Sequence, residues 1–181
     1  DTLFTKLYKA NVFNGNVLIA KGKDIIYQKS FGYSIKESNK LLNDSSIFQL
    51  ASVSKVITGV ATLLLYEQGR LNIDSKVSDI LADFPYKNVT VKHLLSHRSG
   101  LPNYTYFCGE FLGDTVCRLS NQQMLDIMIK HQPKPYLNPG LRFNYSNTNY
   151  ALLALIVEKI AKKSYSTFLK EELFTPLGMN H

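Results

Sequence analysis

Cysteine is scarce in this sequence, basic residues almost never adjoin one another, and no apolar run approaches membrane length. Two cysteines, Cys108 and Cys117, with histidines far away in the chain, do not supply the four ligands of a structural zinc site at its usual spacings, so no metal is expected. Both cysteines fall in a loop-like stretch, residues 104–118, with Gly109 and Gly113 between them. A local disulfide in an oxidising compartment and a pair of free, partly buried thiols are both open readings. The longest apolar run, residues 56–66, falls well short of the roughly 20 residues that a bilayer span needs. The formal charge of +7, from 21 Lys+Arg against 14 Asp+Glu, permits anionic partners. The basic residues are scattered, however, with Lys162-Lys163 the only adjacent pair, so no nucleic-acid partner is expected. No secretion signal or lipidation motif is legible, as in a mature or a trimmed chain, and there is no internal repeat or low-complexity linker.

What is there is a globular composition, 45% hydrophobic over 181 residues, enough for one sizeable core or a domain with a lobe. Residues 1–10 read as an amphipathic helix with Leu3, Phe4 and Leu7 inward. Residues 16–21 and 24–31 are rich in β-formers and flank a turn at Gly22-Lys23, which is a hairpin. Such a hairpin is marginal alone in water and needs further strands or covering helices. Residues 36–46 are polar and read as a loop. The run at 56–66 is apolar on every side, the pattern of a helix covered all round, and Gly69 ends it. Short helical pieces are expected within 71–84 and 91–97, an amphipathic helix at 121–131, a strongly apolar helix at 148–161 and a last helix at 165–173.

Two constellations carry chemistry. In Leu50-Ala51-Ser52-Val53-Ser54-Lys55 a serine and a lysine stand three residues apart at the start of the apolar helix, where their Cβ atoms lie roughly 5–6 Å apart on one face. A serine hydroxyl is a weak nucleophile until a neighbouring base accepts its proton. The free N–H groups of a helix's first turn, that of Ser52 among them, are suited to a developing oxyanion. The second constellation is Asn144-Tyr145-Ser146-Asn147, between the Pro139-Gly140 turn and the 148–161 helix. A phenolate near a lysine can take the serine's proton, and Asn147 can donate to and accept from an amide. Tyr-x-Asn occurs also at Tyr86-Lys87-Asn88 and Tyr136-Leu137-Asn138, and the pattern alone does not choose among the three.

Taken in order, four landmarks resemble the serine β-lactamase and penicillin-binding-protein superfamily, in particular its class C-like branch with D-alanyl-D-alanine carboxypeptidases and esterases. They are the segment Phe48 to Lys55, the run His97-Arg98-Ser99-Gly100-Leu101-Pro102, the stretch Phe143 to Tyr150 after Pro139-Gly140, and Pro176-Leu177-Gly178-Met179. The resemblance selects Tyr145 over Tyr86 and Tyr136. It implies an α+β, β-lactamase/transpeptidase-like fold. Residues 1–35 would be the N-terminal helix and hairpin of an α/β lobe, residues 36–154 a mainly helical lobe carrying the motifs, and residues 155–181 helices returning toward a sheet.

By the same resemblance Ser52 is the acylated nucleophile, Lys55 its activating partner, Tyr145 the general base and acid, and Asn147 a ligand of the substrate amide, with no cofactor. His97 and Ser99 match a landmark of structural kind. The implied function is a serine hydrolase acting through an acyl-enzyme on peptidoglycan-type peptides, β-lactams or small esters. The implied location is periplasmic or extracellular, for a secreted or membrane-anchored bacterial protein. The alternative is a non-catalytic binding or scaffold module of the same fold. Members of the branch continue past Pro-Leu-Gly-Met into three strands and a helix, the first strand carrying Lys-Thr-Gly or His-x-Gly, and no such motif follows Tyr145 here. The resemblance therefore implies an N-terminal fragment of weak activity, with an open hairpin edge through which it can self-associate.

Overall fold

A computed structural model describes residues 2–112 and 119–179. Two compact units divide the chain, Asp1–Leu50 and Ala51–His181.

In the first unit, helix α1 (Thr2–Lys9) precedes an antiparallel hairpin of β1 (Gly15–Lys21) and β2 (Asp24–Phe31). Val, Ile and Tyr suit a pleated surface, and Gly22, at φ 61°, lets the chain reverse between Lys21 and Asp24. A bulge between Ile19 and Ala20 interrupts the register. Aromatic contacts fix α1 to the hairpin: Phe4 lies 5.5 Å from Phe13, 6.2 Å from Tyr27 and 6.1 Å from Phe31, centroid to centroid. Leu3, expected to face inward, is exposed, because Phe4, Leu7 and Tyr8 occupy the inner face. The stretch expected as a polar loop contains a short strand, β4 (Lys40–Leu41), which pairs with β3 (Tyr33–Ile35). Gly32 separates β2 from β3 at φ 88°. A Cβ there would meet Asn14 Oδ1 at 2.0 Å, and that same oxygen accepts from the Tyr33 N–H at 2.8 Å.

The second unit is helical. Its elements are α2 (Ser54–Glu67), α3 (Val77–Ile80), α4 (Val91–Leu95), α5 (Tyr104–Leu112), α6 (Asn121–His131), α7 (Asn147–Ala161) and α8 (Tyr165–Leu169). A 3-10 turn, Ala51–Val53, leads into α2, and a π-helical turn, Lys170–Phe174, follows α8. Helix α7 is the axis: Leu152, Leu153, Ile156 and Val157 are fully buried and meet Ala61 and Leu65 of α2, Leu94 of α4, Met124 and Met128 of α6 and Phe168 of α8 in one core. The starts of the shorter helices are held by side-chain caps. Thr90 accepts from the His93 N–H, and Ser120 accepts from the Gln123 N–H, each with the reciprocal bond.

Two expectations are corrected. Helix α2 is not covered all round: Thr58, Ala61, Thr62 and Leu65 are buried, while Val56, Val60 and Leu63 stay exposed. An apolar helix carries no periodic signal of which face meets the core, and here the buried face tolerates two threonines because their hydroxyls donate to Ser54 O and Thr58 O one turn back. The stretch around Cys108, expected to be loop-like, forms α5. Burial of Phe107 and Cys108 in the core outweighs the helix penalty of Gly109, about 1 kcal/mol. Cys108 is a buried thiol, pushed up in pKa by that burial. Cys117, the other half of the candidate disulfide, lies outside the described residues. Among the described residues no helix is long and apolar enough to cross a membrane.

Candidate active site

Ser52 stands in the 3-10 turn and Lys55 is the second residue of α2, so the chain's own geometry brings them to one side. Ala51, directly before Ser52, has φ 46°. That left-handed conformation costs a residue with a Cβ roughly 1–2 kcal/mol and sets the direction in which Ser52 is presented. The Lys55 ammonium donates to Ser52 Oγ at 3.2 Å.

Tyr145 comes from 93 residues away, in the loop before α7, and its Oη lies 2.7 Å from Ser52 Oγ. An ammonium can only donate, so the bond from Lys55 occupies an acceptor site on Ser52 and leaves the serine's own proton free to point at Tyr145. The Tyr145 phenol is held below the ordinary tyrosine range, first by Lys55 and then by its bond with Ser52, against a smaller opposing effect of burial. The ammonium also stands 5.0 Å from the centroid of the Tyr145 ring. Ser52 is exposed, Tyr145 is 44% exposed and Lys55 is half-buried, so the serine oxygen is open to a ligand while the amine behind it is partly screened.

The two other Tyr-x-Asn segments do not reach the serine. Tyr86 donates its hydroxyl to Pro133 O at 2.6 Å, and burial pushes its pKa up to about 12. Tyr136 is exposed, with its N–H bound to Gly100 O. Three ties position the Tyr145 loop. The Asn144 N–H donates to His97 O at 2.7 Å, the Ser146 N–H donates to His97 Nδ1 at 3.3 Å, and Thr148 Oγ1 donates to Pro102 O while accepting from the Tyr104 N–H.

Asn147 is the first residue of α7 and does not cap it; Ser146 takes the cap position, and its hydroxyl donates to Pro102 O at 3.3 Å rather than capping the helix. With Lys55 it lines a cavity of about 230 Å³ shared with Tyr104, Asn121, Tyr150 and Tyr165. Thr58, also on its wall, is bonded to the Tyr165 hydroxyl at 2.7 Å. Sequence reasoning missed Tyr104, Asn121 and Tyr165, which lie on three different helices and carry no local pattern separating them from ordinary core or surface residues. A larger hollow of about 480 Å³, lined by Asp83, Asp126 and Glu158, holds none of the expected site residues. Among the described residues no three of His, Cys, Asp and Glu gather as metal ligands.

Compared with known families, the sequence matches Beta-lactamase over residues 1–181. Penicillin-binding protein 4* of Bacillus subtilis (strain 168) is 42% identical over 181 residues, covering 99% of this chain and 40% of the relative, so the chain spans well under half of that relative's length. The crystal structure of a penicillin binding protein from Bacillus halodurans superposes with a TM-score of 0.86 at 29% identity, over 99% of this chain and 55% of that one. D-amino acid amidase from Ochrobactrum anthropi SV3 superposes with a TM-score of 0.77 at 27% identity, over 96% of this chain and 47% of that one. The fold is therefore β-lactamase/transpeptidase-like, and with its whole length spanned by a single family match the chain belongs to the beta-lactamase family.

Proposed function

We propose that this chain carries the nucleophile and the proton-transfer group of a serine hydrolase that works through an acyl-enzyme on Ser52. One observation carries the reading: a single exposed hydroxyl oxygen sits 2.7 Å from a phenol whose pKa is lowered and 3.2 Å from an ammonium. The ionised Tyr145 takes the Ser52 proton as Oγ bonds to the substrate carbonyl carbon. The resulting oxyanion faces the N–H of Ser52 in the turn leading into α2. Tyr145 then returns its proton to the leaving nitrogen or oxygen as the bond from carbon to that atom breaks. In the second half Tyr145 takes a proton from water, the water oxygen attacks the acyl carbon, and Ser52 departs with the proton from Tyr145. Lys55 lowers the energy of the phenolate throughout.

Asn147, beside Lys55 on the 230 Å³ cavity, holds the substrate amide. The substrates are peptides of the peptidoglycan type, β-lactams or small esters and amides, a reading supported by the names of the relatives and by Asn147 sharing a cavity with Lys55. With substrates of the peptidoglycan type, the same reading includes a periplasmic or extracellular location. A fluorescent penicillin tests the class of substrate: the reading expects a covalent band that survives denaturation and is missing in Ser52→Ala. A folded protein labelled equally with and without Ser52 overturns it.

A further inference from the structure

His97 is buried, at 8% exposure, and plays no part in the proton transfers above. Its backbone φ is 53°, a left-handed conformation in which histidine is among the few enriched residues with a Cβ. Three contacts converge on it from three consecutive residues. The Asn144 N–H donates to its carbonyl at 2.7 Å, the Tyr145 ring lies on its imidazole at 4.5 Å between centroids and 31° between planes, and the Ser146 N–H donates to its Nδ1 at 3.3 Å. The chain on both sides of Tyr145 and the Tyr145 ring itself are held by one residue.

The protonation state of His97 follows from the direction of the bonds. The Leu101 N–H donates to Ser99 Oγ at 3.1 Å, so the Ser99 hydroxyl proton points onward to Asn149 Oδ1. That leaves the Asn149 amide Nδ2 as a donor, and it lies 3.0 Å from His97 Nδ1. Two donors, an amide from α7 and the Ser146 backbone, therefore converge on Nδ1, which must be unprotonated. The imidazole is neutral with its proton on Nε2, in keeping with its lowered pKa, to which burial contributes most and Lys55 next. A proton added at Nδ1 would set three donors on one nitrogen. The titratable groups facing the ring are Lys55 of α2, Tyr145 of the loop, and Tyr150 of α7 at 5.0 Å.

We infer that His97 is a positioning residue, a neutral clamp that grips residues 144–146 and sets the Tyr145 phenol at hydrogen-bond distance from Ser52. The inference rests on Ser52 and Tyr145 being the reacting pair, and its test separates the two. In His97→Phe the ring contact survives and the Nδ1 acceptor is lost. In His97→Asn a side-chain oxygen can take the acceptor's place and the left-handed backbone is kept, but the ring and its titration are lost.

Two readouts are taken on each folded protein. One is the rate of reaction with a fluorophosphonate, measured against pH. The other is the titration of the 13C-labelled Tyr145 ring by NMR, assigned with Tyr145→Phe. The clamp expects His97→Phe to react about 10²-fold more slowly, the cost of displacing a reacting group by about 1 Å. It also expects the Tyr145 titration to move upward toward that of a free tyrosine. His97→Asn should recover to within about tenfold of the parent. On acidification the parent should lose rate through two protonations, His97 and Tyr145, and His97→Asn through one, which tests the clamp in proteins that keep the acceptor even where His97→Phe does not fold. An unmoved Tyr145 titration in folded His97→Phe, or identical acid limbs in the parent and His97→Asn, overturns the clamp. A protein that does not react with the fluorophosphonate but whose Tyr145 titration moves in the variants retains the clamp and loses the serine reading.

Discussion

Replacing Tyr145 by phenylalanine removes one oxygen and leaves almost everything else in place. The ring keeps its contact with His97 at 4.5 Å and with the Lys55 ammonium at 5.0 Å, so the loop before α7 keeps its packing. The lost hydroxyl is bonded to the exposed Ser52 and interacts with the half-buried Lys55, both open to water, and the stability lost with it should be about 1 kcal/mol. The rate is another matter. A positioned acid-base group contributes about 10²–10⁴ in rate, equivalent to about 2.7–5.4 kcal/mol of barrier at 1.36 kcal/mol per factor of ten. The assay is the second-order rate of Ser52 modification by a fluorophosphonate, followed by intact mass, with urea unfolding run on the same sample. Tyr145→Phe should unfold with nearly the midpoint of the parent and react at least about 10²-fold more slowly. A fall of less than about tenfold in a folded variant would refute the reasoning that assigns the Ser52 proton to the phenol.

Three further outcomes are expected. Gly100→Ala places a Cβ 2.0 Å from Leu137 O at φ 72°, where Gly100 O also accepts from the Tyr136 N–H. Left-handed strain of about 1–2 kcal/mol and about 1 kcal/mol for a displaced hydrogen bond should lower the thermal midpoint by roughly 4–12 °C for a chain of this size, as read by calorimetry. Leu152→Ala empties a fully buried site in the core around α7 and should cost about 2–5 kcal/mol in denaturant unfolding. The third outcome concerns pH. Because Tyr145 is held below the ordinary tyrosine range, its proposed role as base requires the rate of Ser52 modification to climb with pH and level off before an ordinary tyrosine would ionise; Tyr145→Phe should lack that rise. His93 and His97 both have lowered pKa values, with burial the main cause in each. The unfolded chain therefore takes up protons near the ordinary 6.5 while the folded chain resists. Their contribution to stability is whole above about pH 6.5 and shrinks as pH falls below it, which unfolding at pH 7 and pH 5 measures.

The elements legible in the sequence were those whose signals are local. Helix α6 spans Asn121–His131 as read, because Ser120 and Gln123 form a capping box ahead of an amphipathic run. The hairpin was legible from β-formers on either side of Gly22-Lys23. The pairing of Ser52 with Lys55 was legible too, since three residues across a turn and a helix start fix it. Helix α5 was not, because its glycine and cysteine are tolerated only where the core buries one side. The exposed face of α2 was hidden in the same way, since an apolar helix does not say which neighbours it has. Tyr145 could be chosen among three Tyr-x-Asn segments only by the order of the landmarks; the physical reason for the choice, a loop bound on both sides to His97, depends on contacts between residues about 50 apart.

The central claim is that Ser52 is the oxygen that becomes acylated. Peptide mapping after reaction with a fluorophosphonate tests it most directly. One adduct per chain, on the peptide containing Ser52, absent in Ser52→Ala and slowed in Tyr145→Phe, is the expected result. A folded chain with Ser52 unmodified after prolonged exposure, or with the adduct spread over other hydroxyls, would contradict it.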